Sequence, residues 1–259
     1  MESDGVDDAR HFTVSVSRLA LKHPVLFNAI LALASRFDAL ATGSGSDVES
    51  TFYHSRCIEL LIDLLLKPPE TYDSTLLAAV VLSRLYEEND TETDALTYHL
   101  SGTRTLLSND VITRLAAEGG LAEAACWVHL RQSVYVAIVH RQHLHIPLGV
   151  FKDLTAFRKS DDTSYANRVV YLFARVLLEF FPDPSTEGTS PTCEDNWDCL
   201  QNDLDSWFER KPASFEPLYD EPPDIEADKP FPCIWMLSTV PSKPKAQSMV
   251  FVDMAADSL

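Results

Sequence analysis

Basic residues are scarce in this chain. Its 259 residues include 21 Lys and Arg against 39 Asp and Glu, a formal net charge of −18. A nucleic-acid surface needs clustered Lys and Arg to displace counterions from phosphates, so this balance speaks against direct nucleic-acid binding. It speaks equally against docking on an anionic membrane. A basic partner fits better. Cysteines are few and scattered, at Cys57, Cys126, Cys193, Cys199 and Cys233. An odd count without framework spacing gives no disulfide scaffold. Cys57 and Cys126 fall on apolar helical faces, where a free thiol serves as a small hydrophobe, which points to a reducing compartment. Long apolar runs are also missing. Val25–Ala34 and Leu60–Leu66 are too short to span a bilayer, and the opening MESDGVDDAR has no apolar core of a secretory leader. No P-loop, GxGxxG or GxSxG occurs. The reading is therefore of a protein that is not an enzyme and needs no cofactor.

What is present is helical periodicity. Pro24 suits a first helical position, and Phe27, Ile30, Leu31, Ala34 and Phe37 follow at helical spacing. Gly43 to Ser46 reads as a loop. Tyr53, Cys57, Leu60, Leu61, Leu64 and Leu65 share one face of a second helix, stopped by Pro68-Pro69. Ser74 is placed to cap a third, with Leu76, Leu77, Val80, Val81 and Leu85 as its stripe. Thr91 with Asp94 resembles a capping box opening a helix that runs to about Leu107. After Glu118-Gly119-Gly120 comes the strongest stripe: Ala124, Trp127, Val128, Arg131, Val134, Tyr135, Ile138 and Val139. Val169, Leu172, Phe173, Val176, Leu177, Phe180 and Phe181 form another, ended by Pro182 and Pro184. Trp197, Leu200, Leu204, Trp207 and Phe208 form the last. The expected fold class is all-α, an irregular bundle of about seven to eight helices.

Ser206 to Leu237 breaks this pattern. It is rich in proline and acid, yet it carries many aromatics, which disordered linkers lack. It reads as an extended strap, anchored in the helical body by the buried side chains Trp207, Phe215, Leu218, Phe231 and Trp235. The tail after it reads as poorly structured.

Among the polar residues, His140, His143 and His145 carry the spacing of a metal fragment. No carboxylate or cysteine completes a zinc set nearby, so a polar helix end is the better reading. Asp195, Asp198, Asp203 and Asp205 lack the glycine and glutamate of a calcium loop and read as a solvated face. Arg131 stands on the apolar side of the strongest helix. With Gln132 and Tyr135 it forms a candidate ligand or structural polar centre, Arg131 serving as a bridge to a carboxylate or a helix end.

Three segments carry a resemblance. They are Ala125–Pro147, with Trp127, Leu130-Arg131-Gln132 and Tyr135; Tyr165–Phe181, with Ala166-Asn167-Arg168; and the strap, with Lys211-Pro212, Ser214-Phe215, Pro217-Leu218 and Phe231-Pro232 before Trp235. His23-Pro24 and His99 to Gly102 add to it. In this order they resemble the regulatory domain of fungal-specific transcription factors, the partner of a zinc binuclear cluster. The resemblance spans roughly Leu19 to Leu237. It implies a helical domain of a nuclear regulator that dimerises, contacts another protein or answers a small-molecule effector. It supplies no catalytic residue. The family's DNA reader needs six closely spaced cysteines, and these are not in this sequence, so the expected role is regulation through protein contacts without direct nucleic-acid binding. Nuclear placement follows from the resemblance, or cytoplasmic placement if import needs a further segment or partner. Family members continue into further apolar helices after the strap, whereas here Pro241 and Pro244 intervene, so the end reads as truncated. The expected organisation is an acidic stretch over 1–10, the helical domain over 11–237 and a tail over 238–259. A helical scaffold without a transcriptional role and a small-molecule-binding enzyme are the alternatives.

Overall fold

A computed structural model of the chain describes residues 7, 9–43, 48–87, 105–182, 193–223 and 231–236, without the side chains of 193–196 and 234–236. The body is all-α. A π-helical turn, His11–Val16, runs into α1, Ser17–Ala20. Then come α2, Pro24–Thr42; α3, Val48–Leu65; α4, Ser74–Glu87; α5, Asp110–Glu118; α6, Gly120–His140; α7, Asp162–Phe180; and α8, Cys193–Glu209. The expected helix from Thr91 lies outside the described residues except at its end, where Leu106 and Leu107 are buried.

Local chemistry explains the boundaries. Pro24 stands at the first position of α2, and Gly43 closes it with φ 63°. The cap of α4 is one residue earlier than expected. The Asp73 carboxylate, not Ser74, accepts the Leu76 N–H at 2.9 Å. Asn109 caps α5 by accepting the Val111 N–H at 2.9 Å, a helix start that the sequence reading did not assign. Gly119 joins α5 to α6 at φ 97°, where a Cβ would come within 3.3 Å of Thr155 Cγ2.

α2 and α3 form an antiparallel hairpin, against which α4 packs. α6 lies at the centre, touching α4, α5, α7 and the N-terminal π turn. Its residues from Leu121 to Leu130 are all buried. The main core joins α2, α3, α4, α5, α6 and one side of α7. α7 faces two ways: Val170, Tyr171, Ala174 and Leu177 enter the main core, while Val169, Leu172 and Val176 pack with Leu200, Trp207 and Phe215 in a second cluster. An ion pair, Arg175 to Asp203 at 2.5 Å, adds to the α7–α8 contact.

The structure corrects three sequence expectations. The buried stripe of α2 is Val25, Leu26, Ala29, Ala32 and Leu33, whereas the expected Phe27 and Phe37 are 47% and 52% exposed. The stripe is set one position earlier because small alanines let α2 approach its neighbours closely. The apolar run Val25–Ala34 also belongs to a longer helix. α2 is long and apolar enough, by length and composition, to cross a membrane; here it is the packing partner of α3 and α4.

The third correction concerns the strap. Trp207 and Phe215 are buried, but Leu218 is 66% and Phe231 80% exposed. The segment does not lie in grooves along its length. β1, Pro217–Glu221, pairs antiparallel with β2, Cys233–Met236, with Tyr219 opposite Trp235 and Glu221 opposite Cys233. The two strands satisfy each other's backbone groups, so docking on the body is not needed for that purpose. Leu218 is the extra residue where the register shifts between Pro217 and Tyr219. Trp235 pairs through its backbone, and its side chain lies outside the described residues.

Candidate functional site at the junction of α6 and α7

α6 displays polar groups on opposite sides. On the α7 side, Arg131 Nη1 donates to Asn167 Oδ1 at 3.2 Å. One turn back, Trp127 is buried and meets the ring of Phe151 edge-on, centroids 5.2 Å apart. The Trp127 indole N–H donates to Glu123 Oε1 at 3.3 Å. Glu123 also accepts from the Thr155 hydroxyl at 2.6 Å and from the Ala156 N–H at 3.1 Å. One buried carboxylate thus holds the 3-10 turn Thr155–Phe157 against α6. Charge-assisted bonds of this kind are the strong ones. Arg168 completes the clasp from α7, donating from Nε to the Ala156 carbonyl at 2.7 Å and from Nη2 to the Lys159 carbonyl.

Between these elements lies a cleft of about 200 Å³, lined by His11, Glu123, Trp127, Arg131, Lys159 and Asn167 among others. Pockets that enclose small molecules run to about 300–1,000 Å³. The cleft is below that range, and its carboxylates are already engaged: Glu123 as above, Asp7 with the His11 ring at 2.9 Å, and Asp161 with the Ser164 N–H at 2.8 Å. Its chemistry is that of a clamp between helices.

On the α4 side, Arg84 is 2% exposed and His129 fully buried. Arg84 Nη1 donates to His129 Nδ1 at 2.5 Å and to Ser133 Oγ at 2.9 Å, and the Ser133 hydroxyl donates to the His129 carbonyl. A ring nitrogen that accepts from a guanidinium carries no proton. Burial first, and the Arg84 charge second, hold the His129 pKa well below 6.5. A second polar group joins α4 to α3. His54 Nε2 lies 3.1 Å from Ser83 Oγ and 3.2 Å from Glu87 Oε1, its ring stacks on Tyr86, and the Tyr86 hydroxyl lies 3.1 Å from Ser50 Oγ.

The expected polar centre is therefore divided. Arg131 bridges to the Asn167 amide on α7. Gln132 is buried, and its amide has no hydrogen-bond partner among the described residues. Tyr135 is 65% exposed. His143 Nδ1–H donates to the Phe181 carbonyl at 2.8 Å, clasping the end of α7. Cys57 and Cys126 are fully buried, and burial above all pushes both thiols up to about 12. Among the described residues no three His, Cys, Asp or Glu side chains form a metal-binding group.

Sequence reasoning missed Glu123, Arg84 and His129. A signal for the last two was present: Arg84 interrupts an apolar helix, and His129 and Ser133 are one turn apart on another.

The cleft and the polar network converge on α6, and the decisive comparison ends within that helix. Residues 11–130 match the fungal specific transcription factor domain. The match takes in the π turn, α1 to α5 and the buried half of α6. The three main segments of the sequence resemblance lie mostly beyond it and overlap it at Ala125 to Leu130, while His23-Pro24 and His99 to Gly102 fall inside it. The matched stretch takes in most of the main core and, with it, Arg84, Glu123, Trp127 and His129. No curated protein and no solved structure gives a significant match.

Proposed function

We propose that this chain is the regulatory part of a fungal transcription factor and acts through protein contacts, with DNA contacted by another module. The match of residues 11–130 to the family carries the reading. That family is one of transcription-factor regulatory domains rather than of enzymes, and it suggests a nuclear protein. Composition supports the reading, because a net charge of −18 opposes phosphate binding. The cysteines support it too. Five cannot supply six zinc ligands, and Cys57 and Cys126 are sealed in the core as neutral thiols. The small volume and engaged carboxylates of the α6–α7 cleft favour a structural clamp over an effector pocket there.

Two measurements test this. The purified chain is expected to leave promoter DNA unprotected in a footprint at physiological salt; sequence-specific protection would overturn the proposal. Fused to a heterologous DNA-binding domain, the chain is expected to change transcription of a reporter, and an inert fusion in a fungal host counts against a regulatory role.

A further inference from the structure

Adjacent cations occur in this chain at Arg158-Lys159 and at Arg210-Lys211, and the second pair stands where the strap leaves α8. The sequence continues Pro212-Ala213-Ser214-Phe215. Among the described residues, no other serine or threonine has cations both three and four positions before it. A large apolar residue, Phe215, follows directly. Cations at that distance and an apolar residue next in line are what basic-directed protein kinases select. Carboxylates in the kinase groove hold the cations, and an apolar pocket takes the residue after the hydroxyl.

The structure gives this serine a task. Ser214 is exposed, in the 3-10 turn Ala213–Phe215. Its hydroxyl donates to Asp162 Oδ1 at 2.7 Å, which ties the strap to the first turn of α7. Phe215 beside it is fully buried in the second cluster, edge-on to Trp207 with centroids 6.1 Å apart. Lys211 braces the same turn. Its Nζ lies 3.7 Å from the centroid of the Phe208 ring and 3.6 Å from Glu216 Oε1. Beyond Phe215 the strap stands away from the body, with Leu218 and Tyr219 exposed. The strap is therefore docked near its start, and charge at Ser214 bears on that docking.

We propose that Ser214 is a phosphorylation site for a basic-directed kinase, and that its phosphate releases Phe215 from the body. The Ser214 Oγ bonds to the γ-phosphorus of ATP, the bond from that phosphorus to the β–γ bridging oxygen breaks, ADP leaves, and the hydroxyl proton passes to the base of the kinase. The phosphate carries about −1.5 to −2 charges at neutral pH. The hydrogen bond to Asp162 goes with the proton, and the new charge faces the Asp162 carboxylate. A helix N-terminus ordinarily welcomes an anion. Here the place is taken, since Asp161 accepts the Ser164 N–H at 2.8 Å and Asp162 fills the first turn. Glu216 adds to the repulsion, and Lys211 is engaged by Glu216 and the Phe208 ring. The kinase reads an extended segment, so it takes the strap in its transiently opened form, and the phosphate then opposes reclosure. This switch goes beyond the regulatory reading and stands whether or not the chain regulates transcription.

The test incubates the full chain with ATP and either the catalytic subunit of cAMP-dependent kinase, a basic-directed enzyme, or an acid-directed casein kinase, and places the phosphate by mass spectrometry. Ser214 is expected to be labelled by the first and not by the second. Chymotrypsin then reads the strap, because it cuts after Phe215 only when that ring leaves the core. Phosphorylation is expected to speed this cut about tenfold or more with the helical content unchanged. In Asp162→Asn, which removes the facing carboxylate, the gain on phosphorylation is expected to be smaller. A Ser214 that the basic-directed kinase leaves unlabelled overturns the site, and so does labelling by the acid-directed enzyme alone. A phosphorylated chain that protects Phe215 as well as the unmodified one overturns the release. An equal gain in Asp162→Asn overturns the part assigned to Asp162.

Discussion

α3 and α6 are of similar length and both are apolar on more than one side, yet they end in opposite surroundings. α6, Gly120–His140, has helices or turns packed around it and is buried on every side over its first half. α3, Val48–Leu65, lies at the rim of the bundle and buries only Ser50, Cys57 and Leu61 fully. Neighbours, rather than hydrophobicity, make the difference. A helix with apolar residues all round suits the middle of a domain. The same composition at the edge leaves half of itself in water.

The largest expected effect comes from the middle. Trp127→Ala removes a buried indole, its contact with Phe151 and a hydrogen bond to Glu123. It is expected to lower unfolding stability by about 3–5 kcal/mol, read from denaturant melts. A loss of less than about 1 kcal/mol would mean that α6 is not the packed centre.

The inner faces of the two helices can be compared through their thiols. Cys57 on α3 and Cys126 on α6 are both pushed from 9.0 to about 12. Both are expected to resist a thiol reagent at neutral pH until the protein unfolds, while the exposed Cys199 reacts in the native state. Labelling of Cys57 in folded protein would show that α3 is loosely held on both sides.

Acid distinguishes α6 further. The unfolded chain protonates a histidine below about 6.5, whereas buried His129 beside Arg84 stays neutral. The unfolded state then binds the extra proton, so stability is full above that pH and falls below it, by about 1.4 kcal/mol per pH unit, until the folded ring titrates. His129→Leu is expected to flatten this limb between pH 6 and pH 5 by about one proton. An unchanged slope would place the titration elsewhere.

A smaller change is expected at Gln132, whose buried amide lacks a partner. Gln132→Leu is expected to raise stability by about 1 kcal/mol, because desolvation of the amide is no longer uncompensated. A loss on thermal melting would show that the amide is bonded after all. Smallest of all is the outer face of α3. Ile62→Ser is expected to leave the stability of the monomer within about 0.5 kcal/mol of the native chain, and a loss comparable to that of Trp127→Ala would put Ile62 in the core.

The fold class was legible because helical periodicity, Pro24 at a helix start and the Gly119-Gly120 break are local signals. Faces were less legible. Phe27 and Phe37 looked like the stripe of α2 because large apolar side chains draw the eye, but the close approach of helices selected Ala29 and Ala32. The strap showed the same limit. Its aromatics announced non-helical structure, and Trp207 and Phe215 do pack on α7. Leu218 and Phe231 stay out, since β1 and β2 pair with each other. At the candidate site, Arg131 could be singled out as a polar residue on an apolar face. Its partner Asn167 is 36 residues away, and Glu123 grips a turn beyond the end of its own helix, relations that no periodicity encodes.

Sequence by itself determined the helices, their stops, the acidic surface and the resemblance to a fungal regulatory domain, because caps, prolines, charge and side-chain period act over a few residues. Tertiary structure decided which apolar face is core and which is surface, that Arg84 and His129 meet, and that Glu123 grips the turn Thr155–Phe157. Those depend on which helices become neighbours, and burial is a property of the neighbourhood.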